Sequence, residues 1–143
     1  MHIGKLHVVI LHFPIALIVA AVVADLLWLA ARRAFFKDAG LYCLLGALVT
    51  APPVVLTGWY ALGSAGYTGD LAELAEWHEH MGITTLVLVI AASAVRLARL
   101  KWQAKWLTVA YPILAAAMFI AVSIAGHLGG QIGFGKDYLS GLF

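Results

Sequence analysis

Four long apolar runs, at residues 6–31, 40–62, 77–100 and 106–128, leave this chain one class of structure. Each has the roughly 20 residues that a helix needs to cross a hydrocarbon core about 30 Å thick. Lipid offers the backbone no hydrogen-bond partner, so every run must satisfy its own N–H and C=O groups as α-helix. The connections are short, which makes successive helices antiparallel. The expected fold is therefore all-α, an integral membrane up-down-up-down four-helix bundle, with residues 1–143 as a single four-helix transmembrane domain. Composition agrees, at 64% hydrophobic and 11% charged, against about half and a quarter in soluble domains.

The gaps hold little else. Residues 32–39 carry charge, 101–105 are a brief link, and 63–76 open on three glycines, Gly63, Gly66 and Gly69. The spacing of Asp70, Glu73, Glu76 and Trp77 predicts a short amphipathic surface helix there. Pro14, Pro52-Pro53 and Pro112 are expected to bend their helices. Small residues such as Gly46, Ala47, Gly58, Ala92 and Ala115 allow close helix approach. The single cysteine, Cys43, excludes an internal disulfide and a haem-attachment motif, and reads as a core thiol. The first run is too long for a signal-peptide core and reads as a retained anchor.

Charge sets the orientation. Arg32, Arg33, Lys37, Arg96, Arg99, Lys101 and Lys105 all fall at one end of the bundle, with only Lys5 and Lys136 at the other. By the positive-inside rule the basic end is cytoplasmic. Both termini and all six histidines are then expected on the exterior face of an inner (cytoplasmic) membrane, which is the periplasm if the source is a Gram-negative bacterium. The net charge of +2 forms no basic groove, so nucleic acid is not an expected partner.

All six histidines belong to the opposite end. His2, His7 and His12 open the first run, His78 and His80 open the third, and His127 closes the fourth. Ionisable groups at membrane depth are costly and mark function. His7 and His12 are five residues apart, about 140° around a helix, poorly placed to grip one small ion together; they are expected to serve two different partners, or one binds while the other hydrogen-bonds. His78 and His80 point to nearly opposite sides. His78 shares its face with Gly82, Thr85, Ala92, Ser93 and Arg96 and is expected inward, with His80 at the water interface. His127 lies among glycines in Gly126-His127-Leu128-Gly129-Gly130, where a flat group or another helix can approach.

His7, His12, His78 and His127 are the candidate ligands. Inward imidazoles on facing helices suit one or two b-type haems, which are flat, apolar and take axial ligands from opposite sides. A Cu or Zn site of three or four imidazoles is the alternative. Toward the basic end, Asp25 and Arg96 lie at similar depth and are expected to form a buried ion pair; proton uptake beneath a quinone is the sharper reading. Ser64, Ser93, Ser123 and Ser140 lack the context of a hydrolase nucleophile.

The runs His7-Val8-Val9-Ile10-Leu11-His12-Phe13-Pro14, Thr57-Gly58-Trp59, Trp77-His78-Glu79-His80-Met81-Gly82 and Gly126-His127-Leu128-Gly129-Gly130 resemble a bacterial family of predicted membrane proteins, domain of unknown function 2231. The resemblance spans essentially the whole chain and includes the ending Gly135-Lys136-Asp137-Tyr138-Leu139. Phe134 stands where similar proteins often carry a histidine. The most similar subgroup is often joined to c-type cytochrome modules, and other members carry Rieske modules. That company implies electron transfer, in a subunit of a membrane oxidoreductase. No such module is attached here, so the implied partner is a separate cytochrome c or iron–sulfur protein within a larger membrane complex. The leading expectation is a haem-b membrane electron-transfer subunit linking an exterior redox partner to the quinone pool. A Cu or Zn site, or a non-catalytic anchor or assembly subunit, are the alternatives.

Overall fold

The computed structural model describes residues 3–138, so His2 and Leu139 lie outside the described part. It contains α1 (Ile3–Ile10), α2 (His12–Ala31), α3 (Ala34–Ala65), α4 (Asp70–Lys101) and α5 (Lys105–Phe134). Taken together α1 and α2 make one span, Gly4–Ala31, and the other three helices make one span each. The chain is thus a multi-pass, all-helical membrane protein, with no strand among the described residues.

Two elements differ from the sequence expectation, each for a local reason. The acidic stretch after Gly69 is the beginning of α4 rather than a separate surface helix. Asp70 and Glu73 occupy its first turn, where negative charge meets the unpaired N–H groups of the helix end. At 32 residues, α4 is about 48 Å long, longer than a ~30 Å hydrocarbon core requires. The prolines also act unequally. Pro14 has no N–H for the carbonyl of Ile10, and the helix breaks at Leu11 just before it. Pro52, Pro53 and Pro112 lie inside continuous helices. Near the first pair, the Thr50 and Thr57 hydroxyls bond to carbonyls one turn back, Gly46 O and Pro53 O, at 2.8 Å each.

Packing closes the bundle. α2 packs on α3 and α4 on α5; α3–α4 and α2–α5 contacts complete the ring, and α1 leans on α3. Between them lies a core of Ile18, Leu44, Ala47, Val89, Ala92 and Met118, all fully buried. Cys43 is half-buried against it. Small residues at these contacts let the backbones approach, as association in lipid requires. Large side chains such as Phe35, Tyr42, Val49 and Leu56 face outward, which is stable in lipid and not in water.

One core atom is badly placed. The Ser93 hydroxyl is buried and has no hydrogen-bond partner among the described residues. Burying an unpaired hydroxyl is unfavourable, so Ser93→Ala is expected to raise stability by about 1 kcal/mol. Thermal unfolding in micelles checks this, and a fall in the midpoint would refute it.

Candidate cofactor site

His7 on α1 and His78 on α4 face each other across the bundle, their ring centroids 6.4 Å apart and their planes at 83°. Both are half-buried. Each ring is tied down through the same atom. His7 Nδ1 lies 3.0 Å from the carbonyl oxygen of Val54 on α3, and His78 Nδ1 lies 2.9 Å from that of Ala125 on α5. A carbonyl only accepts, so each Nδ1 carries the proton and donates it. Each Nε2 then carries the ring's lone pair, with no hydrogen bond to it among the described residues. This is the tautomer of a metal-binding imidazole, in which the other ring nitrogen donates to a fixed acceptor.

The seats for the two rings are alike. One turn beyond each carbonyl stands a glycine, Gly58 after Val54 and Gly129 after Ala125. A Cβ at Gly58 would sit 2.8 Å from His7 Cε1, and one at Gly129 3.0 Å from His78 Cε1. A methyl group at Gly58 would force the His7 ring to shift, and one at Gly129 would press the His78 ring to give by a few tenths of an ångström. Thr57 adds to the first seat, its hydroxyl 3.4 Å from His7 Nδ1 while donating to Pro53 O and Val54 O.

The other histidines do not join this pair. His12 opens α2 with its side chain exposed on the outside of the bundle. His127 is exposed on α5, and its Nδ1 lies 3.2 Å from the Tyr138 hydroxyl. Tyr138 itself folds back onto Gly130, where a Cβ would meet its ring at 2.6 Å. His80 is exposed beside Glu76, at 3.7 Å. Among the described residues no three His, Cys, Asp or Glu side chains converge as a metal-ion group. The polar centre at this end is thus a two-histidine arrangement.

A second polar cluster occupies the basic end. Arg96 on α4 donates from one nitrogen to both Asp25 carboxylate oxygens, at 2.7 and 2.8 Å, and from the other to Lys37 O at 2.9 Å. Tyr111 on α5 donates its hydroxyl to Asp25 and lies under the guanidinium, 4.6 Å from ring centre to carbon. Gly40 is packed so closely on Asp25 that a Cβ would come within 2.7 Å of Oδ1. Every charge in the cluster has a partner, as a low-dielectric interior demands.

Residues 4–137 match the family described as a predicted membrane protein, DUF2231. The chain belongs to that family. No curated protein and no solved structure matches it. The family match takes in both polar clusters, from His7 to Gly129 and from Asp25 to Arg96.

Sequence reasoning reached His7 and His78 but not what holds them. Val54 and Ala125 act through backbone carbonyls, which no residue type advertises. Tyr111 and Tyr138 were also missed. One usable signal existed: His7 precedes Val54 by 47 residues, and His78 precedes Ala125 by the same 47.

Proposed function

We propose that this chain is a haem-b-binding membrane subunit that carries electrons between an exterior redox protein and the quinone pool, with His7 and His78 as the axial ligands. The observation that carries this reading is the facing pair of half-buried imidazoles, each held through Nδ1 with Nε2 free. The ring centroids are 6.4 Å apart, so both imidazoles would be available to hold one group at this end of the bundle.

The donor set favours haem over a zinc ion. A haem brings four equatorial nitrogens and asks the protein for two axial ligands, whereas structural Zn takes four protein ligands and catalytic Zn three. Two histidines satisfy the first demand and not the others. When bound, haem would supply one-electron chemistry at membrane depth. The chain would hold and orient it: the Val54 and Ala125 carbonyls fix both tautomers and raise ligand basicity, and the apolar core excludes water. His12 and His127 then become residues of the lipid or partner-facing surface. A second haem at either would need a ligand from elsewhere in a larger complex.

The basic end is assigned to the cytoplasm and the histidine end to the periplasm of the bacterial inner membrane, on the distribution of Lys and Arg. A separate cytochrome c or iron–sulfur protein would therefore meet the subunit on the histidine side, with quinone reached through the bilayer.

A reduced-minus-oxidised spectrum with metal counts tests the reading on protein purified after haem-replete expression. The expected result is stoichiometric iron and the Soret and visible bands of low-spin haem b. Absence of a Soret band would overturn it, and copper or zinc without haem would replace it with a non-haem metal site.

A further inference from the structure

The two histidine seats are one instance of a wider regularity. Asp25 and Arg96, the buried ion pair, are 71 residues apart. The same step of 71 carries His7 to His78, Val54 to Ala125 and Gly58 to Gly129. It carries the start of α3, Ala34, to the start of α5, Lys105. In the core it takes Ile18 to Val89, Ala21 to Ala92, Leu44 to Ala115 and Ala47 to Met118, all eight buried. The contacts have the matching pattern, with α2–α3 and α4–α5 as two hairpins and α3–α4 and α2–α5 as the seams between them. Both hairpins start at the histidine end, so they are parallel repeats related by an axis along the membrane normal.

We infer that the chain is a duplicated helical hairpin whose approximate twofold axis passes between His7 and His78, and that Gly58 and Gly129 are equivalent positioning residues, each seating the histidine of its own hairpin. The inference deepens the haem reading and rests on it only for the identity of what the histidines hold. Equivalent positions near a twofold axis must face each other. That explains how imidazoles from distant parts of the chain meet at one point, and why the ion pair forms between positions related by the same step.

The departures from symmetry are physically consistent. Two identical hairpins would bring like charges together on the axis at positions 25 and 96. With Asp in one copy and Arg in the other, repulsion becomes a salt bridge. Gly40 and Tyr111 also correspond, the glycine making room for the Asp25 carboxylate and the tyrosine covering the Arg96 guanidinium. Pro14 and Thr85 are both buried, but Pro14 breaks its helix, whereas Thr85 donates to Met81 O within an unbroken one.

The test is a set of double-mutant cycles on the full chain in micelles, read as shifts in the thermal unfolding midpoint. Gly→Ala in a helix is intrinsically favourable, so Gly58→Ala and Gly129→Ala should lower the midpoint only where they strike a ring. In a His7→Ala background, Gly58→Ala should become neutral or stabilising, and likewise Gly129→Ala in a His78→Ala background. The crossed combinations, Gly58→Ala with His78→Ala and Gly129→Ala with His7→Ala, should show no such relief. Gly126→Ala, which meets nothing, should not lower the midpoint. Nitrogen-15 NMR of labelled histidines adds a readout that general destabilisation does not mimic. Gly58→Ala should change the tautomer signature of His7 alone, and Gly129→Ala that of His78 alone.

Where haem is bound, each single glycine variant should weaken it about 10–100-fold, as loss of a ligand-orienting contact does. Cycles without coupling and histidine signatures unmoved by either variant would overturn the inference, even in a protein that binds haem through His7 and His78. Coupling confined to each hairpin in a protein without haem would uphold the seats and refute only the cofactor.

Discussion

Replacing Asp25 by asparagine is expected to destabilise the bundle by about 3–5 kcal/mol, the cost of leaving a buried charge without its partner. The Arg96 side chain is only 6% exposed, and that of Asp25 15%. Asparagine is neutral, so the guanidinium keeps Lys37 O but loses its counter-charge. The amide also has one acceptor oxygen where the carboxylate had two, and its NH2 group cannot accept from Arg96 or Tyr111. Arg96→Met should cost a similar amount by stranding the carboxylate. Changing both, as Asp25→Leu with Arg96→Met, should recover most of the loss, because a buried ion pair adds little beyond an apolar pair of similar volume. Unfolding midpoints of the two singles and the double decide this. Single variants within about 1 kcal/mol of the parent would mean that water reaches the cluster and the burial argument fails.

If the proposed haem is bound, replacing His7 or His78 by alanine is expected to abolish its low-spin spectrum, whereas His12→Ala and His127→Ala should leave it in place. Losing an axial ligand removes an iron–nitrogen bond, so the fall in affinity should exceed the roughly 10–100-fold typical of an orienting partner. His12, His80 and His127 are all exposed, and among the described residues no third His, Cys, Asp or Glu joins the pair as a metal-ion group. Haem titration of the four variants, followed by absorbance and by electron paramagnetic resonance, gives the answer. Retention of a six-coordinate spectrum in both His7→Ala and His78→Ala would remove this pair from consideration. Loss confined to His12→Ala or His127→Ala would move the cofactor to the lipid-facing surface.

These two predictions depend on the sequence to different degrees. The ion pair was legible because charge inside an apolar run is rare and must be compensated, and Asp25 and Arg96 are the charged residues deepest in theirs. The inward side of α4 was legible too, since Thr85, Ala92, Ser93 and Arg96 mark one stripe and His78 falls on it. The choice of His7 over His12 was not. A helical wheel puts the two on different sides but cannot say which side faces the bundle. Pro14 breaks the helix between them at Leu11 and thereby uncouples the direction of α1 from that of α2. Likewise His127, flanked by glycines, looked as well placed as His78. It is Gly129, two residues on, that lies against the His78 ring.

What the sequence alone determined was the number of crossings, their helical form and the gathering of histidines at one end. Those properties depend on hydropathy and on backbone hydrogen bonding in lipid, which are local to each run. Only the tertiary structure decided which imidazoles meet, because that depends on helix rotation, on carbonyls that any residue carries, and on glycines whose role is to leave space. The repeat was hidden for the same reason. Lipid asks the two hairpins only to be apolar, so most paired positions carry different side chains, and identity survives at few places, the facing His7 and His78 and the glycines Gly58 and Gly129 among them.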